Sequence, residues 1–291
     1  MSKTSTCGLL GVSRQVYYRS IRSRKKKQYK AKQVVAMVES IRRDMPRIGF
    51  RKLYYLLYAP LKKLKIGRDK FLSILKANHM LIKPKRNYRI TTDSHHRFRK
   101  HKNLIVDMPL KHPEQVWVSD ITYIGGRDKN CYLALVTDAY SKKIMGYDIS
   151  NSLATEGSLR ALNMAIKQRC YKNRLIHHSD RGLQYCSNDY QRLLNAKRIT
   201  PSMTESYDPY ANAIAERVNG ILKQEFLLED YQVDINTMKL LVKDAVRIYN
   251  TKRPHWACYM KTPAEMHKQK SIEIRTYKNK DSCRASPTTI S

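Results

Sequence analysis

From about residue 113 onward the apolar residues switch repeatedly between strand and helix spacing, and that order restricts the fold more than any other feature of the chain. Val116-Trp117-Val118-Ser119-Asp120-Ile121-Thr122-Tyr123-Ile124 is β-branched and aromatic and reads as a strand. Gly125-Gly126 and Asp128-Lys129-Asn130 supply a turn, Tyr132–Asp138 a second strand and Lys143–Ile149 a third. Thr155–Arg169 puts Leu159, Leu162, Ala165 and Ile166 on one helical face. Leu175–Asp180 is a short strand ending on an aspartate. A helix (Asn188–Lys197), a strand (Ile199–Met203) and a helix containing Ala211–Leu228 follow. The order β-β-β-α-β-α-β-α predicts an α/β (α+β) domain, a mixed sheet covered by helices.

Ahead of it lies a stretch of short helices. Leu9-Leu10-Gly11-Val12-Ser13-Arg14 reads as a helix end, a glycine turn and a helix start with Ser13 as N-cap, which suits a helix-turn-helix or a plain helical hairpin. Arg22 to Lys32 is a cationic run, expected as an arm or linker. Val34, Val35, Val38 and Ile41 form an apolar stripe ended by Pro46, and another helix starts near Ile48. Phe71, Leu72 and Leu75 are expected on one buried face of the helix after Gly67. Lys83–Arg89 and His95 to Lys102 are polar and cationic and read as a linker lying along DNA, and the residues beyond about 270 as a basic, disordered tail.

Charge separates the two regions. The first 112 residues hold 30 of the 57 Lys and Arg but only 5 of the 24 Asp and Glu, so most of the formal net charge of +33 sits there. A solvated basic surface would serve solubility, but solubility does not call for one sign, whereas phosphate-backbone binding does. Nucleic acid is the leading partner and an anionic membrane surface the second. With 42% apolar residues the chain can bury a core. No stretch approaches the ~18 apolar residues of a spanning helix, and the first residues lack the apolar core of a signal peptide. Cys7, Cys131, Cys170, Cys186, Cys258 and Cys283 form no C-x-x-C pair, against a zinc ribbon or disulfide framework. The expected setting is cytoplasmic and nucleoid-associated.

Three carboxylates stand out. Asp120 sits inside an apolar strand, Asp180 ends another, and Glu216 lies on a helix. Each alone could cap or pair with a cation; converging at one sheet end, the three would form an oxygen-rich site suited to Mg²⁺. Asp138 follows the second strand and reads as a turn residue, Trp117 as core, and His177 and His178 as non-ligands, because Mg²⁺ prefers oxygen.

The blocks Trp117-Val118-Ser119-Asp120-Ile121-Thr122-Tyr123, His178-Ser179-Asp180-Arg181-Gly182-Leu183-Gln184-Tyr185 and Asn212-Ala213-Ile214-Ala215-Glu216-Arg217 resemble the DDE transposases and retroviral-type integrases. The closest resemblance is to the second-frame (OrfB) product of two-reading-frame bacterial insertion sequences. Between Asp180 and Glu216 lie 35 residues, the spacing of the DD(35)E signature, and Lys223 matches the family's basic residue seven positions on. Tyr249-Asn250-Thr251-Lys252-Arg253-Pro254-His255 and Thr262-Pro263-Ala264-Glu265 are similar to its C-terminal signature, and Pro46–Leu53 to its middle helix-turn-helix. The resemblance spans nearly the whole chain. It departs at Ala211-Asn212-Ala213, where the family often has Asp-Asn-Ala, and in having no His₂Cys₂ zinc domain.

The resemblance implies an RNase H-like catalytic core holding two Mg²⁺ ions, with Mn²⁺ as substitute, on Asp120, Asp180 and Glu216. It implies DNA cleavage at element ends followed by strand transfer, and no membrane association. Lys223 would meet phosphate or terminal bases, or be a solvated lysine; Asn212 would orient Glu216, touch DNA or cap the helix. Arg217, Arg51, Lys52 and Arg14 are further expected DNA contacts. The expected partition is 1–33, a basic N-terminal segment; 34–96, a helix-turn-helix-like DNA-binding domain; 97–112, a basic linker; 113–228, the catalytic core; and 229–291, C-terminal helices and tail. Partners implied are the insertion-sequence ends, target DNA, a second copy of the chain, and the upstream-frame (OrfA-type) product or a fusion with it, since the chain starts at Met1 without that region. The alternatives are a catalytically inactive DNA-binding regulator or assembly subunit, and a nuclease that cuts without joining.

Overall fold

The computed structural model describes residues 3–9, 11–83, 101–106, 108–126, 131–204, 213–269 and 272–274. The chain divides into two compact units, residues 1–84 and 85–291. Among the described residues no helix is long and apolar enough to cross a membrane.

The first unit is helical: α1 (Lys3–Leu9), α2 (Arg14–Asp44), α3 (Phe50–Leu56), α4 (Tyr58–Lys63) and α5 (Arg68–Ala77). Gly11, at φ 63°, turns the chain between α1 and α2 in a left-handed conformation open to a residue without Cβ. Ser13 Oγ accepts the Val16 amide at 3.2 Å and caps α2. That helix then runs 31 residues without a break. The cationic run from Arg22 to Lys32 is therefore helix interior, not an arm, and the expected boundary at 33/34 falls inside α2. No Gly or Pro lies between residues 14 and 44, and Lys, Arg, Gln and Ala are good helix formers, so nothing stops the helix before Met45. Val34, Val38, Ile48, Leu53, Phe71 and Leu75 are fully buried, and α5 packs on α2 and α3. Leu72 departs from expectation: it is 37% exposed, because one step of about 100° carries it off the Phe71–Leu75 face.

The second unit is built on β1 (Val116–Ile124), β2 (Cys131–Asp138), β3 (Ile144–Ser150), α6 (Thr155–Lys167), β4 (Leu175–Ser179), α7 (Leu183–Cys186), α8 (Asn188–Ala196), β5 (Ile199–Met203), α9 (Ala213–Glu225), α10 (Ile235–Thr251) and α11 (Pro263–His267). Its sheet has the order β3-β2-β1-β4-β5. The β1–β2 and β2–β3 pairs are antiparallel; β1–β4 and β4–β5 are parallel. The predicted alternation of strands and helices is present, with α7 a single unpredicted turn.

Residue parity divides the layers. Trp117, Ala134, Val136 and Met145 pack with Leu162 of α6, Tyr185 of α7 and Tyr190 of α8 on one side of the sheet. Val116, Val118 and Ile176 pack with Ala215 of α9 on the other. Gly146 lets α6 lie directly on β3; a Cβ there would collide with the Ala161 carbonyl oxygen and the Ala165 amide.

Two segments are more built in than their sequence suggests. Part of the expected 97–112 linker belongs to this unit: the Leu104 amide donates to Ser202 Oγ at 2.9 Å, and Ile105, Met108 and Leu110 pack on the Val116–Ile176 cluster. Residues 272–274, expected in a tail, are packed: Tyr140 OH donates to the Ile272 carbonyl at 2.6 Å, and Ile272 and Ile274 cover the Tyr140–Met266 cluster; the rest of that expected tail lies outside the described residues. The C-terminal helices brace the sheet edge. The Asn250 side-chain amide makes both hydrogen bonds of a strand partner with the Ile144 backbone, each 3.0 Å. Thr262 and Glu265 form the capping box that starts α11.

Candidate active site

Parallel pairing of β1 with β4 matches Ser119 with Ser179. Asp120 and Asp180 each follow that pair by one residue. They therefore emerge side by side on the face bearing Val118, Ile176 and α9, because paired residues share a face and parity alternates along both strands. From α9, Asn219 Nδ2 donates to Asp120 Oδ2 at 2.7 Å, and Lys223 Nζ to Thr122 Oγ1 at 3.3 Å. Glu216, exposed, lies one turn before Asn219 on the same helical face.

Each aspartate is held from its own backbone as well. Asp120 Oδ1 accepts the Ile121 amide at 2.9 Å, and Asp180 Oδ1 accepts the Gly182 amide at 3.0 Å. Burial first, and then the charge of Asp180 with a smaller part from Glu216, push the Asp120 carboxyl up to about 7, against the hydrogen bonds from Asn219 and Ile121. Asp120 thus lies within the repulsive field of both other carboxylates. Oxygen donors whose charges meet at Asp120 in this way fit a hard divalent cation.

Of the residues singled out from sequence, Asp120, Asp180, Glu216 and Lys223 meet along the β1–α9 seam. Arg217 is exposed on α9, its charge acting on the Tyr249 phenol of α10. Asn212 lies outside the described residues. Arg14, at the start of α2, and Arg51, on α3, are exposed, and Lys52 is half-buried, all in the first unit. Sequence reading missed Asn219, which is 4% exposed and whose Oδ1 accepts no hydrogen bond among the described residues. The available signal was its position three residues after Glu216 and four before Lys223, on the same helical face.

The buried histidines and Asp138 play structural parts. His177 Nε2 meets Ser119 Oγ at 2.7 Å and Tyr190 OH at 2.9 Å; burial drives its pKa down to about 3, so it is a neutral core residue. Asp138 is fully buried: it accepts the Glu114 amide (2.7 Å), the Ser141 amide (2.7 Å) and Ser141 Oγ (2.6 Å). His267 of α11 sits between Asp138 (3.6 Å) and Glu114 (3.3 Å), and Glu114 also accepts the Cys170 and Tyr171 amides. This cluster ties the C-terminal helix to the base of β1. Neither Glu114 nor His267 was singled out from the sequence.

The sheet and the acidic groups on its α9 face lie within an integrase-type core. Two models described as "Integrase core domain" match residues 111–209 and 197–263. The "Insertion element IS600 uncharacterized 31 kDa protein" of Shigella sonnei is 31% identical over 255 residues, covering 86% of this chain and 92% of that protein. "Transposase InsF for insertion sequence IS3A" of Escherichia coli (strain K12) is 33% identical over 147 residues, covering 50% of this chain and 51% of that one. The "Putative transposase for insertion sequence element IS986/IS6110" of Mycobacterium tuberculosis (strain CDC 1551 / Oshkosh) is 38% identical over 120 residues, so this chain spans 43% of its length. The chain belongs to the integrase-core DDE transposases of bacterial insertion sequences, the IS3 family. Its function is that of the family, transposition: DNA integration by polynucleotidyl transfer.

Proposed function

We propose that Asp120, Asp180 and Glu216 are the catalytic carboxylates of this transposase and hold two Mg²⁺ ions, with Mn²⁺ as a working substitute. On this reading the chain cuts DNA at insertion-sequence ends and joins the freed ends to a target strand. The observation that carries it is the register, which brings Asp120 and Asp180 out as neighbours on the face where α9 adds Glu216. Two such ions, when bound, would lower the pKa of an attacking hydroxyl and offset the charge on the leaving oxygen.

The chain's own residues prepare the site. Asn219 and the Ile121 amide fix both oxygens of Asp120, and the Gly182 amide fixes one of Asp180, so the two carboxylates are oriented before any ligand arrives. Lys223 is half-buried two turns beyond Glu216 and sets a cation where a phosphate would approach the cleft. Arg217, Arg14, Arg51, Lys52 and Asn212 are assigned to DNA, the first unit serving as the end-binding part and residues 113–228 as the catalytic core.

In the first step water attacks a phosphodiester at an element end, and the bond from phosphorus to the 3′ oxygen breaks, leaving a 3′-OH. In the second, that 3′-OH attacks a target phosphodiester and displaces its 3′ oxygen. Only the nucleophile changes, so one site serves both steps with no covalent protein intermediate. Assembly of two copies on two ends, and cooperation or fusion with the upstream-frame product, belong to the same reading, as does a cytoplasmic, nucleoid-associated setting.

The test compares this chain, its fusion to the upstream frame, and both with Asp180→Asn, on DNA carrying the element's ends in Mg²⁺ or Mn²⁺. Joined product that disappears in the variant is the expected result. Cleavage without joining would turn the assignment to a nuclease, and binding without chemistry in every form would overturn it.

A further inference from the structure

The amino-terminal half of α2 carries an unbalanced charge. From Arg14 to Lys32 the helix holds nine Lys and Arg, and the first acidic residue of the chain is Glu39. Residues 14–29 are exposed apart from Ile21, and packing begins only near Lys30, whose Nζ donates to the Leu64 carbonyl at 2.6 Å. Among the described residues, none of Arg14, Arg19, Arg22, Arg24, Lys25, Lys26 and Lys27 pairs with a carboxylate.

The arrangement opposes the helix it sits on. Arg22–Lys26 and Lys26–Lys30 are like-charged neighbours one turn apart. The first turn holds Arg14 and no acidic residue, although the positive end of the helix dipole favours an anion there. Arg14, Tyr18, Arg22, Lys25, Tyr29 and Lys32 follow one another at steps of four, four, three, four and three residues. At 3.6 residues per turn they form a single row, in which two phenols are set among four cations. Tyr18 is 39% and Tyr29 65% exposed, where a packed helix would bury such rings.

We infer that duplex DNA is the counter-charge this half of α2 is made for, its cation-and-tyrosine row lying along the phosphates. The inference rests on the reading of the chain as a protein that acts on DNA, and adds to it a surface and a mode of contact. The free stretch of about 16 residues spans about 24 Å, and a helix about 10–12 Å across suits the ~12 Å major groove. Lys and Arg neutralise phosphates there, while Tyr hydroxyls donate to phosphate oxygens. A polyanion along the row removes the repulsion within the helix, so binding should also raise its helicity. The row carries no base-reading pattern of its own, so it supplies affinity and register more than sequence choice.

The test is fluorescence anisotropy of the full chain on a labelled 20-base-pair duplex of arbitrary sequence, across 50–300 mM salt. The Arg22→Gln/Lys25→Gln/Lys32→Gln variant should bind at least tenfold more weakly at 100 mM salt. Its log–log salt slope should be shallower by about 2 to 3, at ~0.9 for each phosphate left unneutralised. Lys239→Gln/Lys243→Gln, on an exposed face of α10, should leave both unchanged, and the circular dichroism of wild type, but not of the triple variant, should gain helical signal on adding the duplex. Equal slopes and affinities for the triple variant and wild type would overturn the inference, as would a single-stranded RNA of the same length or a phosphatidylserine vesicle that outcompetes the duplex through the same three residues. Strand transfer measured alongside separates the two readings. Joining with an unchanged salt slope removes the α2 surface alone; a changed slope without joining removes the catalytic assignment alone.

Discussion

At the scale of single residues the site depends on how Asp120 is held. Asn219→Ala removes the donor to Oδ2 while leaving all three carboxylates in place. Losses of this kind around metal ligands are typically 10–100-fold, and a drop of that size in strand-transfer rate, with the melting temperature nearly kept, is the expected outcome. A variant as fast as wild type would show that the 2.7 Å bond does not orient the carboxylate. Asp120→Asn should behave oppositely in the metal-free protein. It removes a charge pressed between two others, so melting temperature in a chelator should rise while joining disappears; a fall would mean that the carboxylate repulsion costs nothing. Asp120 was legible because a charged residue inside an apolar strand is conspicuous. Asn219 was not: an Asn in a helix looks like any other polar position until the strand beneath it is known.

Elements were legible where local pattern decides them. The strands from Val116 to Met203 follow β-branched runs, Ser13 caps α2 as its type predicts, and Thr262 and Glu265 announce α11. What local pattern could not supply was packing between distant segments: the built-in stretch around Leu104 and the Asn250 bridge to β3. Two substitutions probe that packing. Gly146→Ala forces a methyl into the α6 backbone and should destabilise by about 1–3 kcal/mol, as overpacked cores do; denaturant unfolding that is indistinguishable from wild type would show that α6 can move away at no cost. Arg253, 1% exposed, donates Nε and Nη2 to Glu225 at 2.8 and 2.7 Å, fastening the end of α9. Arg253→Ala removes both of these bonds and should cost about 1.5–3 kcal/mol, with Lys a poor replacement because it cannot make both.

For the molecule as a whole, the Glu114–His267–Asp138 cluster sets a pH window. Burial opposes the charge of Glu114, yet His267 and the Cys170 and Tyr171 amides outweigh it and hold its carboxyl below the usual range. That stabilisation is present above the unfolded value of 4.5 and is lost as pH falls through the lower folded one. Burial likewise opposes charging His267, and Asp138 and Glu114 outweigh it, raising its pKa. Its contribution is complete below 6.5 and is lost as pH rises through the higher folded value. Attachment of α11 should thus be strongest between about 4.5 and 6.5, which amide exchange in α11 would report. His267→Gln should abolish the decline above that window; a decline that persists would place its origin elsewhere. Two units with separate cores also predict two calorimetric transitions, of which Mg²⁺ raises only the one belonging to the carboxylate-bearing unit.

The seam between β1 and α9 works as a vernier. Ala215 packs with Val118, Asn219 meets Asp120 and Lys223 meets Thr122, so four residues of helix advance with two of strand. Four helical residues rise about 6.0 Å and two strand residues about 6.6 Å, close enough for successive graduations to coincide over this distance. One residue added inside α9 between Glu216 and Lys223 would turn everything beyond it by about 100° and ruin the alignment. One added between Met203 and Ala213 would leave every graduation where it is. The interval of 35 residues between Asp180 and Glu216 is therefore a by-product of chain routing, and the quantity that chemistry guards is the phase of the helix on the strand.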